Sequence, residues 1–418
     1  MDFFRFLMSD VLSEPAVLVG LIALIGLIAQ KKPVTECIKG TVKTIMGFVI
    51  LGAGAGLVVS SLGDFANIFQ HAFGIQGVVP NNEAIVSVAQ KSFGKEMAMI
   101  MFFAMVINIM IARFTPWKFI FLTGHHTLFM SMMVAVILAT AGMTGITLIA
   151  VGSLVVGVAM VFFPAIAHPY MKKVTGSDDV AIGHFSTLSY VLAGFIGSKF
   201  GNKEHSTEDM NVPKSLLLLR DTPVAISFTM SIIFLVTCLF AGADAVKELS
   251  GGKNWFMFSI MQSITFAAGV YIILQGVRMV IAEIVPAFKG ISDKLVPNAR
   301  PALDCPVVFP YAPNAVLVGF LSSFAAGLIG MFTLYLLNMI VIIPGVVPHF
   351  FVGAAAGVFG NATGGRRGAI LGAFAQGLLI TFLPVFLLPV LGDIGFANTT
   401  FSDADFGALG ILLGIIVR

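Results

Sequence analysis

Long apolar runs separated by short polar pieces dominate this chain. Ten segments are apolar enough to cross a membrane or lie deep within it, at about residues 15–30, 40–62, 95–113, 118–141, 144–167, 222–242, 255–285, 315–345, 367–391 and 405–418. Helices need roughly 20 apolar residues to cross a bilayer, whereas barrel strands need only about ten alternating ones. The pattern therefore predicts an all-α polytopic membrane protein with about 10–11 transmembrane helices.

Shorter and less apolar pieces interrupt these runs. They lie near residues 63–94, 180–200, 301–314 and 348–364, and we interpret them as re-entrant hairpins or surface helices. The piece 301–314 carries four prolines and Asp304 between two apolar runs. Non-helical backbone with a carboxylate at membrane depth is tolerated where it lines a cavity or is buried by protein. The sequence predicts a binding site there.

The distribution of polar residues predicts the organisation of the chain. We expect one integral-membrane unit, 1–418, with approximate halves 1–200 and 222–418 joined by a polar cytoplasmic linker, 201–221. Four lysines follow the first apolar segment, at Lys31, Lys32, Lys39 and Lys43. Because cytoplasmic loops are enriched in Lys and Arg, this loop is predicted inside and the N-terminus outside.

Composition supports the membrane interpretation and excludes other classes. The chain is 58% hydrophobic and 11% charged, whereas soluble domains carry roughly 25% charged residues. The net charge of +3 is spread over loops, so a nucleic-acid surface is not expected. Cys37, Cys238 and Cys305 lack CxxC spacing, and packing is the simplest role for them. No P-loop or other cofactor motif is present, and no cofactor is predicted.

Polar and titratable groups inside apolar runs are costly, so they are functional hypotheses by default. Four clusters qualify: Pro80–Glu83, Thr123–Thr127, Ile182–Thr187, and Asp304 with Tyr311 and Asn314. Their side chains supply hydrogen-bond donors and acceptors suited to a hydroxyl-rich solute. Each buried polar group left unpaired costs about 1–3 kcal/mol, so such a solute needs many partners. The carboxylate of Asp304 is able to accept from two hydroxyls at once.

Structural roles are open for the same residues. Each histidine of a Gly-His pair could bond between helices, Asp304 could cap a broken helix, and Glu83 could occupy the first turn of a helix. His125 and His126 are adjacent, so their side chains point about 100° apart on a helix and should not both face one ligand. Arg278 and Glu283 suggest an internal ion pair.

Several motifs, in order along most of the chain, resemble one known family. They are Lys39–Phe48, Leu122–His125, Ile182–His184, Gln275–Met279, Phe288–Ser292, Leu303–Cys305 and Ala312–Val316. Together they resemble the ascorbate-type enzyme IIC permease of the bacterial phosphotransferase system.

The resemblance implies a mechanism and partners. Such permeases are helical homodimers of the bacterial inner membrane, with a core domain that holds substrate and a scaffold domain that forms the dimer. They carry substrate inward, and a separate phosphorylated IIB protein transfers a phosphoryl group to it. The chain itself is then a transporter component surrounded by lipid, not an enzyme, with no catalytic residue of its own.

The resemblance also implies site residues. His125, His184 and Asp304 match the family's substrate contacts. The chain has Asn82 and Glu83 where ascorbate permeases have a Thr-Tyr pair. It has Phe129 and Phe185 where they have glutamines after the Gly-His motifs.

These departures leave the substrate open. Ascorbate is an anion at neutral pH, so an unpaired Glu83 facing it would be repulsive. Either this side chain points elsewhere or is protonated, or the substrate is a neutral pentose, hexose or polyol. Phe129 and Phe185 could stack on the apolar face of such a sugar. We predict a substrate site made of Asn82, Glu83, His125, His126, Phe129, His184, Phe185 and Asp304.

Two other classes of protein remain. An ion-coupled secondary transporter could use Asp304, Glu83 and the histidines as a proton relay. An intramembrane metalloenzyme could use the histidines as ligands, but no HExxH or similar spacing occurs, and no metal site is predicted.

Overall fold

The computed structural model describes residues 15–75, 77–211, 218–219, 221–392 and 398–417, and the predicted extracellular N-terminal tail lies outside them. The helices are α1 (Pro15–Ala29), α2 (Val34–Phe73), α3 (Asn82–Phe114), α4 (Gly124–Thr140), α5 (Gly145–Thr175), α6 (Thr187–Phe200), α7 (Thr222–Ala241), α8 (Ala243–Leu249), α9 (Trp255–Leu295), α10 (Pro313–Leu336), α11 (Val346–Leu391) and α12 (Ala404–Val417). Within the described residues, seven helices are long and apolar enough to cross a membrane, and three further apolar helices are shorter. The predicted all-α polytopic membrane fold is confirmed.

Six very short strands lie between the helices. They are β1 (Gly77–Pro80), β2 (Phe119–Phe121), β3 (Ala181–Ile182), β4 (Arg300–Leu303), β5 (Val341–Ile342) and β6 (Thr399–Thr400). They form two parallel three-stranded sheets with orders β5-β1-β6 and β2-β4-β3. Backbone at membrane depth needs internal partners, and these sheets provide them where the helices are interrupted.

The strands follow an internal repeat. β1, β2 and β3 start at residues 77, 119 and 181, and β4, β5 and β6 start at 300, 341 and 399, so similar intervals recur. β1, the first strand of one set, lies between β5 and β6 of the other set. In the same way, β4 lies between β2 and β3. β3 and β6 each lead into a 14-residue helix, α6 and α12. The two parts of the chain are therefore interlocked through their strands.

The bounds of several helical segments differ from those predicted from the sequence. The piece 301–314 interrupts the long helices as predicted, with β4 followed by a short 3₁₀ helix, Cys305–Tyr311. In contrast, the predicted span 118–141 begins with a strand, and the span 315–345 ends as a helix at Leu336. The pieces 348–364 and 367–391 both belong to α11, which is interrupted at Gly364 and Gly365. A φ of 57° at Gly365 favours glycine at this break.

Glycines bring α10 and α11 into close contact. A Cβ on Gly319 would collide with the carbonyl of Gly353, and one on Gly353 would lie 2.5 Å from the Cβ of Ser323. Small residues such as these let membrane helices approach closely. The contact fixes the start of α11, which borders the site described below.

The described part of the 201–221 linker folds back onto the helices. Glu208 accepts hydrogen bonds from the backbone N–H groups of Asn314 and Ala315, at 3.0 and 3.1 Å to Oε1. The side chain of Asn314 donates to the carbonyls of Thr207 and Met210, each at 3.1 Å. Residues 212–217 and 220 of the linker lie outside the described chain. The Glu208 carboxylate therefore caps the start of α10, where the helix dipole favours negative charge.

A polar cluster ties together the starts of β3 and β4. Asp178, in the loop before β3, accepts from Arg300 Nη2 at 2.5 Å and also pairs with Lys172. Hydrogen bonds from Lys172, His168 and Arg300 hold the pKa of the Asp178 carboxyl well below its usual range. Basic residues are therefore concentrated on the face where β2, β3 and β4 begin.

Candidate functional site

A cavity of about 370 Å³ lies where strand ends of both sheets meet. Its lining combines polar and apolar side chains: Asn82, Glu83, Leu122, Thr123, Gly124, His125, His126, Phe129, His184, Leu274, Val277, Arg278, Leu303, Asp304, Cys305, Pro306, Val347, Pro348, Phe351, Ser402 and Asp403. Ligand pockets typically measure about 300–1,000 Å³, so this cavity suits a small solute.

Helix N-termini converge on the cavity. α3 begins at Asn82, α4 at Gly124 and α11 at Val346, and residues of all three first turns line the wall. α12 begins at Ala404, directly after the lining residue Asp403. The N-terminal end of a helix carries a partial positive charge, and broken membrane helices use it to hold anionic groups. These helix ends therefore bring partial positive charge to the cavity wall.

Asp304 lies between two histidines. Its Oδ2 is 3.5 Å from His125 Nε2, and its Oδ1 is 3.8 Å from His184 Nε2. The Cys305 backbone N–H donates to Oδ1 at 2.7 Å, and the Asp304 side chain is 37% exposed to the cavity. The carboxylate is thus anchored by the backbone while still offering oxygen lone pairs to a ligand. The predicted grouping of these three residues is what the structure contains.

Tyr190 orients His184. The Tyr190 hydroxyl is 2.8 Å from His184 Nδ1, and both side chains are buried. One ring nitrogen is therefore engaged away from the cavity, which leaves Nε2 directed at Asp304. Sequence reasoning missed Tyr190, because it lies on α6 six residues beyond His184 in an apolar run.

We predict that Tyr190→Phe weakens substrate binding without unfolding the protein. The variant keeps the ring stacked on Phe359 but leaves His184 Nδ1 without its hydroxyl partner. Removing one buried hydrogen bond costs about 1–1.5 kcal/mol, so the dissociation constant should rise roughly tenfold. Calorimetric titration measures it, with Tyr271→Phe on the exposed face of α9 as the matched control. An unchanged dissociation constant in Tyr190→Phe would show that the Tyr190 hydroxyl does not orient His184 for substrate binding.

His126 also borders the cavity, together with His125. Both histidines lie in the first turn of α4 and line the cavity, although adjacent side chains on a helix point about 100° apart. His126 Nδ1 accepts from the Phe185 backbone N–H at 3.2 Å, and its ring centroid is 3.8 Å from that of His184. The ring is therefore fixed against its neighbours.

A second polar wall comes from the end of the chain. The Asn82 amide donates to the carboxylate of Asp403, and its Oδ1 accepts from the Ser402 backbone N–H at 2.9 Å. The Ser402 hydroxyl donates to Asp403 at 3.1 Å. Sequence reasoning included Asn82 but missed the two residues after β6. The motif Ser402-Asp403 between apolar runs was the available signal.

The two phenylalanines predicted to tune selectivity differ in position. Phe129 lines the cavity, but Phe185 does not, and its ring stacks on Phe121 with centroids 4.6 Å apart. Phe185 packs at the core of this region because the strand end turns its side chain away from His184. Glu83 lines the cavity, which argues against one of the three alternatives for this residue, that its side chain points elsewhere.

Arg278 brings a positive charge to the cavity lining. It lines the cavity from α9 with Leu274 and Val277. The suggested ion pair with Glu283 is absent from the described residues. Tyr311 and Asn314 lie outside the cavity lining, and Asn314 instead holds the linker.

A buried polar cavity at interrupted helices of a polytopic membrane protein defines a transporter of small solutes. A sequence profile of the family described as "PTS system sugar-specific permease component" matches residues 10–405, so the chain belongs to this family of phosphotransferase-system permeases. It is also similar to the "Ascorbate-specific PTS system EIIC component" of Mycoplasma pneumoniae (strain ATCC 29342 / M129 / Subtype 1), with 28% identity over 459 residues, covering 96% of this chain and 67% of that protein. The family predicted from the sequence motifs is confirmed, and the chain is a transporter component and not an enzyme by itself.

Proposed function

We propose that this protein binds L-ascorbate in the cavity and carries it inward, where a separate phosphorylated IIB protein phosphorylates it. The observation that carries the proposal is the Asp304 carboxylate, held between His125 and His184 and open to the cavity. A carboxylate flanked by two histidines suits the vicinal hydroxyls of a sugar-like acid. The name of the Mycoplasma relative points to the same substrate.

The cavity also offers positive groups to an anionic substrate. Glu83, Asp304 and Asp403 contribute carboxyl groups, whereas Arg278 and the helix N-termini contribute positive charge. We propose that the hydroxyls of ascorbate bind at Asp304 and that its anionic ring oxygens face Arg278. The carboxylate and the guanidinium would then each bind a different chemical part of this substrate.

Calorimetric titration of the purified protein with L-ascorbate and with a panel of neutral pentoses, hexoses and polyols tests the proposal. We expect ascorbate alone to bind. Arg278→Gln should weaken ascorbate binding about tenfold, because a partly exposed ion pair contributes about 1 kcal/mol or somewhat more when desolvated. The matched control is Arg113→Gln, an exposed arginine at the end of α3.

Other outcomes of the titration separate the alternatives. Binding of a neutral sugar alone would replace ascorbate as the substrate and assign Phe129 to stacking on the sugar ring, while the permease class would stand. If uptake in vesicles required an ion gradient and no phosphoryl donor, an ion-coupled secondary transporter would replace the proposed mechanism.

We propose that the face where β4 begins is cytoplasmic. α2 and α9 run antiparallel, since Gly40 packs near Glu283 and the Ser61 hydroxyl donates to the Gln262 carbonyl at 2.9 Å. The start of α2 and the end of α9 therefore share a face with the start of β4. Lysines and arginines favour the cytoplasmic side, and this face carries Lys39, Lys43, Lys172 and Arg300.

The remaining organisation is also a proposal. We infer a homodimer in the inner membrane, in which α2 and α9 belong to a scaffold and the strand-linked segments form the core that holds substrate. The two strand sets fall within the proposed halves 1–200 and 222–418. Exposed apolar side chains on α2, α7 and α9 supply surface for lipid and for a second copy.

A further inference from the structure

Three different metal-ligating side chains meet at one end of the cavity. His184, Asp304 and Cys305 each present a ligand atom, and these atoms lie within 4.8 Å of one another. All three residues line the cavity. We propose that they form a Zn²⁺ site whose fourth position opens to the cavity.

The donor set fits this ion. Zn²⁺ takes imidazole nitrogen, carboxylate oxygen and thiolate sulfur in tetrahedral sites, and three protein ligands leave one position for solvent. Bond lengths of about 2.0–2.2 Å to N and O place two such ligand atoms about 3.3–3.5 Å apart. His184 Nε2 and Asp304 Oδ1 are 3.8 Å apart, so small side-chain shifts bring them to that distance.

Hydrogen bonds around His184 and Asp304 support the proposed Zn²⁺ site. Metal-bound histidines usually hold their second ring nitrogen on a hydrogen-bond partner. The Tyr190 hydroxyl, 2.8 Å from His184 Nδ1, provides this partner on the side away from the cavity. The Cys305 backbone N–H likewise donates to Asp304 Oδ1 at 2.7 Å and anchors the carboxylate.

A neighbouring group of three side chains is less suitable for binding a metal ion. His125, His126 and Asp304 also place ligand atoms within 4.8 Å of one another. However, His126 Nδ1 accepts the Phe185 backbone N–H, so its other ring nitrogen carries the proton of the neutral ring. A proton-bearing nitrogen does not ligate, which leaves the cluster with Cys305.

Zinc binding displaces a proton. The Cys305 thiol loses its proton to solvent as the sulfur binds Zn²⁺, while neutral His184 and ionised Asp304 bind directly. The measured binding enthalpy should therefore change with the ionisation enthalpy of the buffer.

The site has a consequence for transport, which rests on the proposed function. Zn²⁺ would occupy Asp304 and His184, the same groups proposed to hold the hydroxyls of ascorbate. Zn²⁺ and ascorbate should then compete, and micromolar Zn²⁺ would act as an inhibitor.

Calorimetric titration of the ligand-free full chain with Zn²⁺ tests the site independently of substrate. We expect one Zn²⁺ per chain, and a loss of about 100-fold or more in affinity in Cys305→Ser, since second-shell changes alone cost about 10–100-fold. Cys238→Ser, a buried cysteine on α7, is the matched control and should bind as the wild type does.

Co²⁺ binding gives a second measurement. It uses the wild-type protein and so does not depend on whether a variant folds. Co²⁺ bound to wild-type protein should show a near-ultraviolet thiolate-to-metal band, which Zn²⁺ abolishes by displacement. Absence of that band, failure of the wild type to bind Zn²⁺, or unchanged Zn²⁺ affinity in Cys305→Ser would overturn the proposal.

A competition titration separates this inference from the proposed function. If Zn²⁺ binds through Cys305 and raises the apparent dissociation constant of ascorbate, both stand. If Zn²⁺ binds through Cys305 while ascorbate does not bind at all, the metal site stands and the ascorbate assignment fails.

Discussion

Asp304→Asn is expected to abolish measurable ascorbate binding while leaving the protein folded. The carboxylate is proposed to accept two hydroxyl hydrogen bonds, and bonds to charged groups contribute about 1.5–3 kcal/mol each. Losing them should raise the dissociation constant about 100-fold or more. The asparagine oxygen still accepts the Cys305 N–H that caps the 3₁₀ helix, so the broken segment should keep its shape. Calorimetry measures the binding, and size-exclusion chromatography with thermal melting checks the fold.

The matched control is Asp293→Asn. Asp293 is an exposed carboxylate near the end of α9, 2.5 Å from Lys289 Nζ, and it lies outside the cavity. The Asp293→Asn variant should bind ascorbate with wild-type affinity. If Asp304→Asn did so too, the proposed role of this carboxylate would be lost, whatever the substrate.

The sequence predicted three polar residues that lie close together in the structure. His125, His184 and Asp304 stood out because each is a titratable or polar group in an apolar chain, where its cost demands a reason. The prolines of 301–314 marked the broken backbone for a similar reason, since proline donates no backbone hydrogen bond. Membrane depth makes such local signals unusually strong.

The strands could not be predicted. Each is two to four residues long, too short for an alternating pattern to be recognised. Their pairing depends on partners far apart in sequence, as when Phe119 pairs with Arg300 and Ala181 with Ala302. Asp403 was missed for the same reason, because it joins Asn82 only after β6 pairs with β1.

The error at Phe185 shows a limit of motif matching. Its position after Gly183-His184 placed it near the site, but sequence adjacency does not give side-chain direction. At the end of β3, neighbouring side chains point to opposite sides. His184 therefore faces the cavity and Phe185 packs against Phe121 and Phe163.

The strand exchange explains why polar groups gather in one place. Each sheet takes its central strand from the other half of the chain, so both halves contribute helix starts to one cavity. A single local segment would have offered only one or two partners to a hydroxyl-rich solute. The two strand sets together supply several hydrogen-bond partners to one cavity.

Asp405 ties the start of α12 to the start of α6 next to the cavity. Its carboxylate accepts the backbone N–H groups of Thr187 and Leu188, each at 2.8 Å, and so caps α6 from the start of α12. Its own N–H donates to the Phe185 carbonyl at 3.2 Å. One fully buried side chain therefore joins the two helices that follow β3 and β6.

Asp405→Ala is expected to destabilise the fold severely. Two buried N–H groups would lose their acceptor, at a cost of about 1–3 kcal/mol each, and a cavity would remain. We expect a much lower thermal midpoint and loss of monodisperse protein, with Asp405→Asn intermediate because its amide keeps one acceptor oxygen. Asp244→Ala, an exposed carboxylate in the first turn of α8, is the matched control and should melt like the wild type. A wild-type midpoint in Asp405→Ala would mean that α6 and α12 are held together by packing alone.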